Sequence, residues 1–239
     1  VSRPDWLART AAAREEWQRQ MAAERSSEVP IHPQTVVMTL AEVLTADDLL
    51  ICDASYASGW GAMYYPVKKA GRRTLFPRGA AGLGWALPAA IGVSFAQRYQ
   101  HVVTLMGDGA FGYVIGELAT LQQHGLKVVN VILNNSSFGW IEWWQRLFFD
   151  EHLQSVRMTE TDYARVAQGF GLKAWRVTQP GELREALEEA LAAPSSAVVE
   201  VVTETMETPI MAYREALSRK VQEDLEFRGE YPVTRKERG

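Results

Sequence analysis

The stretch LMGDGAFGYVIGELATLQQHGLKVVNVILNNSSFG, residues 105–139, decides the fold. One apolar strand, HVVTLM, runs into Gly107-Asp108-Gly109, and a second, VVNVIL, runs into Asn134-Asn135. The segment between them reads as a helix closed by Gly125, a residue type that ends helices readily. Strand, helix and strand make one crossover unit, which leaves the two strands parallel near neighbours. Ligands of open parallel sheets bind outside the carboxyl ends of the strands. Both polar clusters then lie on one rim, with Asp108 and Asn135 pointing into one crevice.

The rest of the chain supports a sheet of this kind. DLLICDA, KAWRVT and SAVVEVVTE read as further strands, and ALPAAIGVSFAQRY, TDYARVAQGFG and PGELREALEEALAAP as helices between them. Continuous Val/Ile/Leu strands alternating with helices indicate a parallel sheet covered on both faces. The expected fold is a doubly wound, mostly parallel α/β layer of about five strands. Residues 1–29 read as a polar, linker-like helix ending at EVPIHP. Residues 30–205 form the expected domain, opening with a helix at Pro33. Residues 206–239 form a charged tail, read as a helix lying over the domain and then a frayed end, with the closing VTRKERG a solvated terminus. Residues 55–85, rich in Gly and aromatics, show no period and read as a long functional loop.

Asp108 offers a carboxylate and Asn135 an amide oxygen. With a backbone carbonyl nearby, these are hard oxygen donors suited to Mg²⁺ or Ca²⁺ rather than zinc or copper. The glycines beside Asp108 let the backbone approach a phosphate, and the following helix start, placed near Ala110, presents N–H groups to an anion. Taken singly, Gly-Asp-Gly is as well a tight turn and Asn-Asn a helix cap. Their coincidence after two apolar strands favours a Mg²⁺-diphosphate site.

GDG followed after 24 residues by NN resembles the motif of the thiamin diphosphate enzymes. The resemblance implies side-chain Mg²⁺ ligands at Asp108 and Asn135 and a third ligand in the carbonyl of Ser137. It sets Gly107, Gly109, Ala110, Phe138 and Gly139 against the diphosphate and thiazolium. PRGAAGLGWALPAAIG, residues 77–92, is similar to the acetolactate synthase group where that group holds the aminopyrimidine. There Leu83 would wedge between the cofactor rings, and the carbonyl of Ala81 would accept a hydrogen bond from the amino group. The plainer reading of Leu83 is core packing. SSFGWIEWWQRLFF resembles the helix over the active site, with Trp144 at the substrate entrance and Trp140 replacing a frequent methionine. Trp143 reads equally as packing. Glu142 is expected to be a solvated helix residue rather than one facing substrate.

Two departures qualify the resemblance, which runs over residues 33–204. Acetolactate synthases carry Gly-Gln-His-Gln after the first strand, where this chain has Ser55, Tyr56, Ala57 and Ser58. Their hydroxyls and backbone N–H groups would replace the missing diphosphate contacts. Family members also activate the cofactor with a glutamate from a separate pyrimidine-binding domain, for which these 239 residues leave no room. The expectation is a catalytic subunit or fragment of a lyase or carboligase acting on a 2-oxo acid. It would work in a hetero-oligomer with a partner chain that carries the pyrimidine domain. Alternatives are a 2-oxo acid decarboxylase, a 2-hydroxyacyl-CoA lyase with an acyl-CoA substrate, a non-catalytic cofactor-binding subunit, and another Mg²⁺-dependent phosphate enzyme.

Composition sets the outer bounds. A hydrophobic fraction of 47% and a charged fraction of 23% are those of a globular domain. A net charge of −4 argues against nucleic acid or a membrane surface as partner. The one cysteine, Cys52, lies in an apolar run and reads as core. No apolar run approaches the roughly 18 residues of a membrane span, and no signal peptide is evident, so a cytoplasmic protein is expected.

Overall fold

The computed structural model describes residues 3–96, 98–149, 152–205 and 208–209. Six parallel strands form one sheet: β1 (Leu49–Cys52), β2 (Thr74–Leu75), β3 (Val102–Gly107), β4 (Val128–Asn134), β5 (Lys173–Val177) and β6 (Ala197–Val202). Their order is β2-β1-β3-β4-β6-β5. The sequence reading found five of them and missed β2, which is only two residues long.

Alternation along the strands feeds two cores. Leu50, Cys52, Val103, Leu105, Val129 and Val131 face helices α2 (Pro33–Val43), α3 (Tyr56–Tyr64) and α9 (Leu183–Ala192). Leu49, Ile51, Val102, Met106, Val128 and Ile132 face α4 (Ala86–Ser94), α5 (Asp108–Val114), α6 (Glu117–Gln123) and α8 (Tyr163–Gly169). The helix after β1 therefore covers one face, and the helices after β3 cover the other. That reversal between adjacent strands is the switch point at which open α/β sheets hold ligands. A further helix, α1 (Arg3–Ala23), contains no buried residue, as its polar sequence leads one to expect.

Two expectations need correction. Residues 55–85 are not one irregular loop, because nine of them form α3. Glycines hid its period, and tertiary packing explains them. A Cβ at Gly61 would lie 2.4 Å from the Cys52 sulfur, and one at Gly59 would lie 2.5 Å from Pro209. The segment after Gly-Asp-Gly is not one helix starting near Ala110. It is α5, beginning at Asp108, then α6, with a break at residues 115–116. Of the charged tail expected over 206–239, all but Thr208 and Pro209 lies outside the described residues.

The carboxyl edge of the sheet is tied by buried acids. Asp53, fully buried at the end of β1, accepts hydrogen bonds from Ala54 N (2.8 Å), Gly84 N (3.0 Å) and Ala86 N (2.7 Å). It thereby caps α4 from across the sheet edge. Burial raises its pKa against those bonds. Glu200 on β6 likewise accepts from Asn134 Nδ2 (2.7 Å) and from Ala164 N (2.9 Å) at the start of α8. Replacing Asp53 by Ala strands buried N–H donors beside a small void, so Asp53→Ala is expected to cost about 3 kcal/mol in urea unfolding. A loss below about 0.5 kcal/mol, the level of an ordinary surface change, would show that the latch contributes nothing.

Candidate functional site

The loops after β1, β3 and β4 close on a cavity of about 70 Å³. Strand register places them there, because Gly107 pairs with Leu133 across β3 and β4, so the two polar clusters leave the sheet level with each other. Ser55, Tyr56 and Ala57 form one wall, Gly107, Asp108, Gly109 and Ala110 a second, and Asn135, Ser137, Phe138 and Gly139 a third. Leu83 reaches in from the loop ahead of α4. Helices α3 and α7 (Gly139–Phe148) both begin at this cavity, which brings the positive ends of two helix dipoles to it.

Asp108 is buried, with 2% of its surface exposed. Its Oδ1 accepts from Gly109 N at 2.8 Å. Burial raises its pKa to about 6, opposed by the backbone N–H groups of Gly109, Ser136 and Ser137. The carboxylate thus joins the two motifs directly. The two asparagines diverge. Asn134 turns inward, donating to Thr161 O (2.9 Å) and Glu200. Asn135 faces the cavity, and its Oδ1 accepts from Ser137 N at 3.1 Å.

The glycines allow close packing here. A Cβ at Gly109 would meet the Phe138 ring at 2.5 Å, and one at Gly139 would meet Asn135 Nδ2 at 3.1 Å. Ser55 carries φ 66° and ψ −143°, a region nearly restricted to glycine. It stands where the resemblance drawn from the sequence expects the glycine of Gly-Gln-His-Gln.

A second cleft of about 570 Å³ adjoins the first and is lined by residues 76–85. Leu83 borders both, and Ala81 lies in the second, with a left-handed φ of 53°. The remaining two expected residues lie off the cavity. Trp140 packs against Tyr56 with ring centroids 5.2 Å apart, and Trp144, 42% exposed, stacks on Phe148 at 4.3 Å. Ile141 lines the cavity in their place.

Other residues escaped the sequence reading. Pro33, Thr203 and Glu204 line the cavity from distant segments, and only the fold reveals them. Asp53 had a signal, an acid closing an apolar strand. Glu142 is a correction. It is buried with 2% exposed rather than solvated, because Ser137, Arg146 and Arg157 surround its carboxylate. Burial pushes its pKa up, but the Ser137 and Arg146 hydrogen bonds and the two arginine charges outweigh that and hold it low.

The donor set fits a hard cation bound with a phosphate group. Among the described residues, no three His, Cys, Asp or Glu side chains cluster to hold a metal ion. A cation here would rest on one carboxylate, an amide oxygen, a backbone carbonyl and the ligand's own oxygens. With Asp108 and Glu204 both lining the cavity, a diphosphate would meet negative charge unless a divalent cation offset it.

Fold and cavity together define a doubly wound α/β protein with a cavity at its switch point. The chain belongs to the thiamine pyrophosphate enzyme family, whose C-terminal TPP binding domain matches residues 53–201. Over 179 residues it is 34% identical to the acetolactate synthase isozyme 3 large subunit of Escherichia coli, an alignment covering 74% of this chain and 31% of that one. It is 33% identical over 158 residues to the acetolactate synthase large subunit of Lactococcus lactis, covering 66% and 27%. The chain spans about three-tenths of the length of these curated relatives. An X-ray structure of a Mycobacterium smegmatis protein described as thiamin diphosphate-dependent superposes with a TM-score of 0.63 at 25% identity, covering 73% of this chain and 32% of that one. Among the described residues, no helix is long and apolar enough to cross a membrane.

Two outcomes follow from the site geometry. Strain at Ser55, of order 1–3 kcal/mol, exceeds the roughly 0.5–1 kcal/mol entropic cost of glycine. Ser55→Gly is therefore expected to raise stability by about 1 kcal/mol in urea unfolding, and a loss would refute the strain. Asp108 has a folded pKa of about 6 against an ordinary 3.8, so the folded chain keeps a proton that the unfolded chain releases. Metal-free stability should fall as pH rises across that window and level off above it. Urea midpoints of Asp108→Asn should lack this fall, and equal pH profiles for variant and parent would contradict the burial of that charge.

Proposed function

We propose that the chain supplies the metal and diphosphate half of a thiamin diphosphate-dependent C–C bond lyase or carboligase of acetolactate synthase type, acting on a 2-oxo acid. The observation that carries this reading is the convergence of Asp108, Asn135 and Ser137 on the cavity that also receives Leu83. When bound, thiamin diphosphate supplies a nucleophilic thiazolium carbon and a ring that takes up the electron pair released on C–C cleavage.

Each role assigned to this chain is one of holding and orienting. Asp108, Asn135 and the carbonyl of Ser137 bind Mg²⁺. Backbone N–H groups at the starts of α3 and α7, with the Ser55 hydroxyl and the flanks of Asp108, hold the diphosphate. Gly109 and Gly139 let Phe138 and Asn135 pack close beside it. Leu83, which borders both clefts, would pack against the cofactor rings, and the carbonyl of Ala81 would accept from the amino group. Tyr56, Phe138 and Ile141 wall the cavity against water, Trp140 backs Tyr56, and Trp144 stands outside it at the entrance.

The acid that activates the aminopyrimidine comes from a pyrimidine-binding domain outside the described residues. It is supplied by a partner chain in a hetero-oligomer or by another part of a longer polypeptide. Turnover of a 2-oxo acid by these 239 residues alone would refute that requirement. A second reading, decarboxylation of a 2-oxo acid or cleavage of a 2-hydroxyacyl-CoA, draws on Ser55-Tyr56-Ala57-Ser58 and on the Tyr56–Trp140 packing, where the relatives' motif differs. A product assay with the pyrimidine domain present separates an acetolactate-type product from an aldehyde or acyl-CoA product. Cofactor binding without any turnover in that assay would leave a non-catalytic subunit.

Calorimetric titration tests the cofactor site itself. Thiamin diphosphate should bind with Mg²⁺ present and bind far more weakly without it. Asp108→Ala should abolish the Mg²⁺-dependent component, and unchanged affinity would overturn the assignment. Leu83→Ala should retain diphosphate-dependent binding while weakening affinity for the whole cofactor relative to inorganic diphosphate.

A further inference from the structure

Glu142 is a buried acid that neither the sequence motif nor the cavity lining uses. Its Oε2 accepts from the Ser137 hydroxyl at 2.5 Å. Its Oε1 accepts from Arg146 Nε and Nη2, at 3.1 and 2.9 Å, and from Arg157 Nη2 at 2.5 Å. One carboxylate therefore joins three segments: the turn after Asn135, helix α7, and the strand-like run at residues 156–158. That run pairs with the turn through Phe138 N to Val156 O and Met158 N to Ser136 O, both 2.9 Å.

Ser137 is held at both of its donors. Its amide donates to Asn135 Oδ1 and its hydroxyl to Glu142. The peptide that carries its carbonyl is held at the far end by Phe138 N, which donates to Val156 O at 2.9 Å, and at the near end by the hydroxyl, for which Val156 O is a second, longer acceptor at 3.3 Å. We propose that Glu142 is a positioning residue for the cation site, aiming the Ser137 carbonyl by clamping the Ser137 hydroxyl. This rests on the reading of Asp108, Asn135 and Ser137 as the cation ligands.

The two arginines explain why a carboxylate serves here better than an amide. Its Oε1 takes hydrogen bonds from both guanidinium groups while Oε2 is left for Ser137, a division that two carboxylate oxygens allow and a single amide oxygen does not. Groups that orient metal ligands from behind typically change metal affinity about 10- to 100-fold when removed. The clamp also ties the cation site to α7, the helix that carries Trp140 and Trp144, so loading of the site and placement of the aromatic helix share one contact.

The test is calorimetric titration of Mg²⁺ into the full chain with saturating thiamin diphosphate, alongside the metal-free melting temperature. Ser137→Ala keeps the backbone carbonyl and removes only the tether. It should raise half-saturating Mg²⁺ about tenfold or more at a temperature well below the metal-free melting transition, where the variant is folded. Glu142→Ala should do the same, and Glu142→Gln, which keeps an oxygen for Ser137, should lose less. The Ser137→Ala/Glu142→Ala double variant should bind Mg²⁺ no worse than the weaker single variant, since both act through one contact. Additive losses, or parental affinity in Ser137→Ala, overturn the proposal. Should Glu142→Ala fail to fold, Ser137→Ala decides alone. Asp108→Ala separates the two levels. If it leaves Mg²⁺ binding intact, the cation-site reading fails. If it abolishes binding while the Ser137 and Glu142 variants match the parent, only the positioning role fails.

Discussion

A carboxylate buried where two parallel strands end governs this molecule. Asp108 sits at the junction of β3 and α5 with almost no exposed surface, and its oxygens meet N–H groups from its own turn and from the turn after β4. Burying an acid disfavours its ionised form. The surrounding N–H groups offset only part of that cost, so the pKa stays near 6. The carboxylate is thereby held by the peptide groups of two turns at once. Register makes it possible: because Gly107 pairs with Leu133, the two polar turns emerge together.

The same device recurs along the carboxyl edge. Asp53 caps α4 from β1, and Glu200 caps α8 from β6 while fixing Asn134. Burial raises the pKa of both, as it does for Asp108. Each spends some solvation energy to anchor a helix start against the sheet edge. The two paired asparagines then divide their work. Asn134 belongs to the Glu200 latch, and Asn135 is left for the cavity. Glu142 differs from these acids because two arginines hold it, and its pKa falls rather than rises.

Much of the fold was legible because parallel strands buried on both faces must be apolar throughout. β1, β3, β4, β5 and β6 were all visible on that ground. β2 was not, since two residues carry no period, and α3 was not, since its glycines answer to Cys52 and Pro209 rather than to helix propensity. The break between α5 and α6 was also hidden, because residues on either side of it keep helical spacing.

The sequence by itself determined that a Gly-Asp-Gly turn and an Asn-Asn turn follow two apolar strands one crossover apart. That spacing is a local property, and it pointed to an oxygen-ligand cation site on a diphosphate. Tertiary structure decided which neighbours complete the site. Pro33, Thr203 and Glu204 reach the cavity from segments with no motif, Ile141 lines it where Trp140 and Trp144 do not, and Glu142 turns inward onto Ser137. The physical reason is that side-chain direction depends on how a helix is seated. α7 is amphipathic, and its contacts with Ser137 and Arg157 fix which of its polar residues is buried.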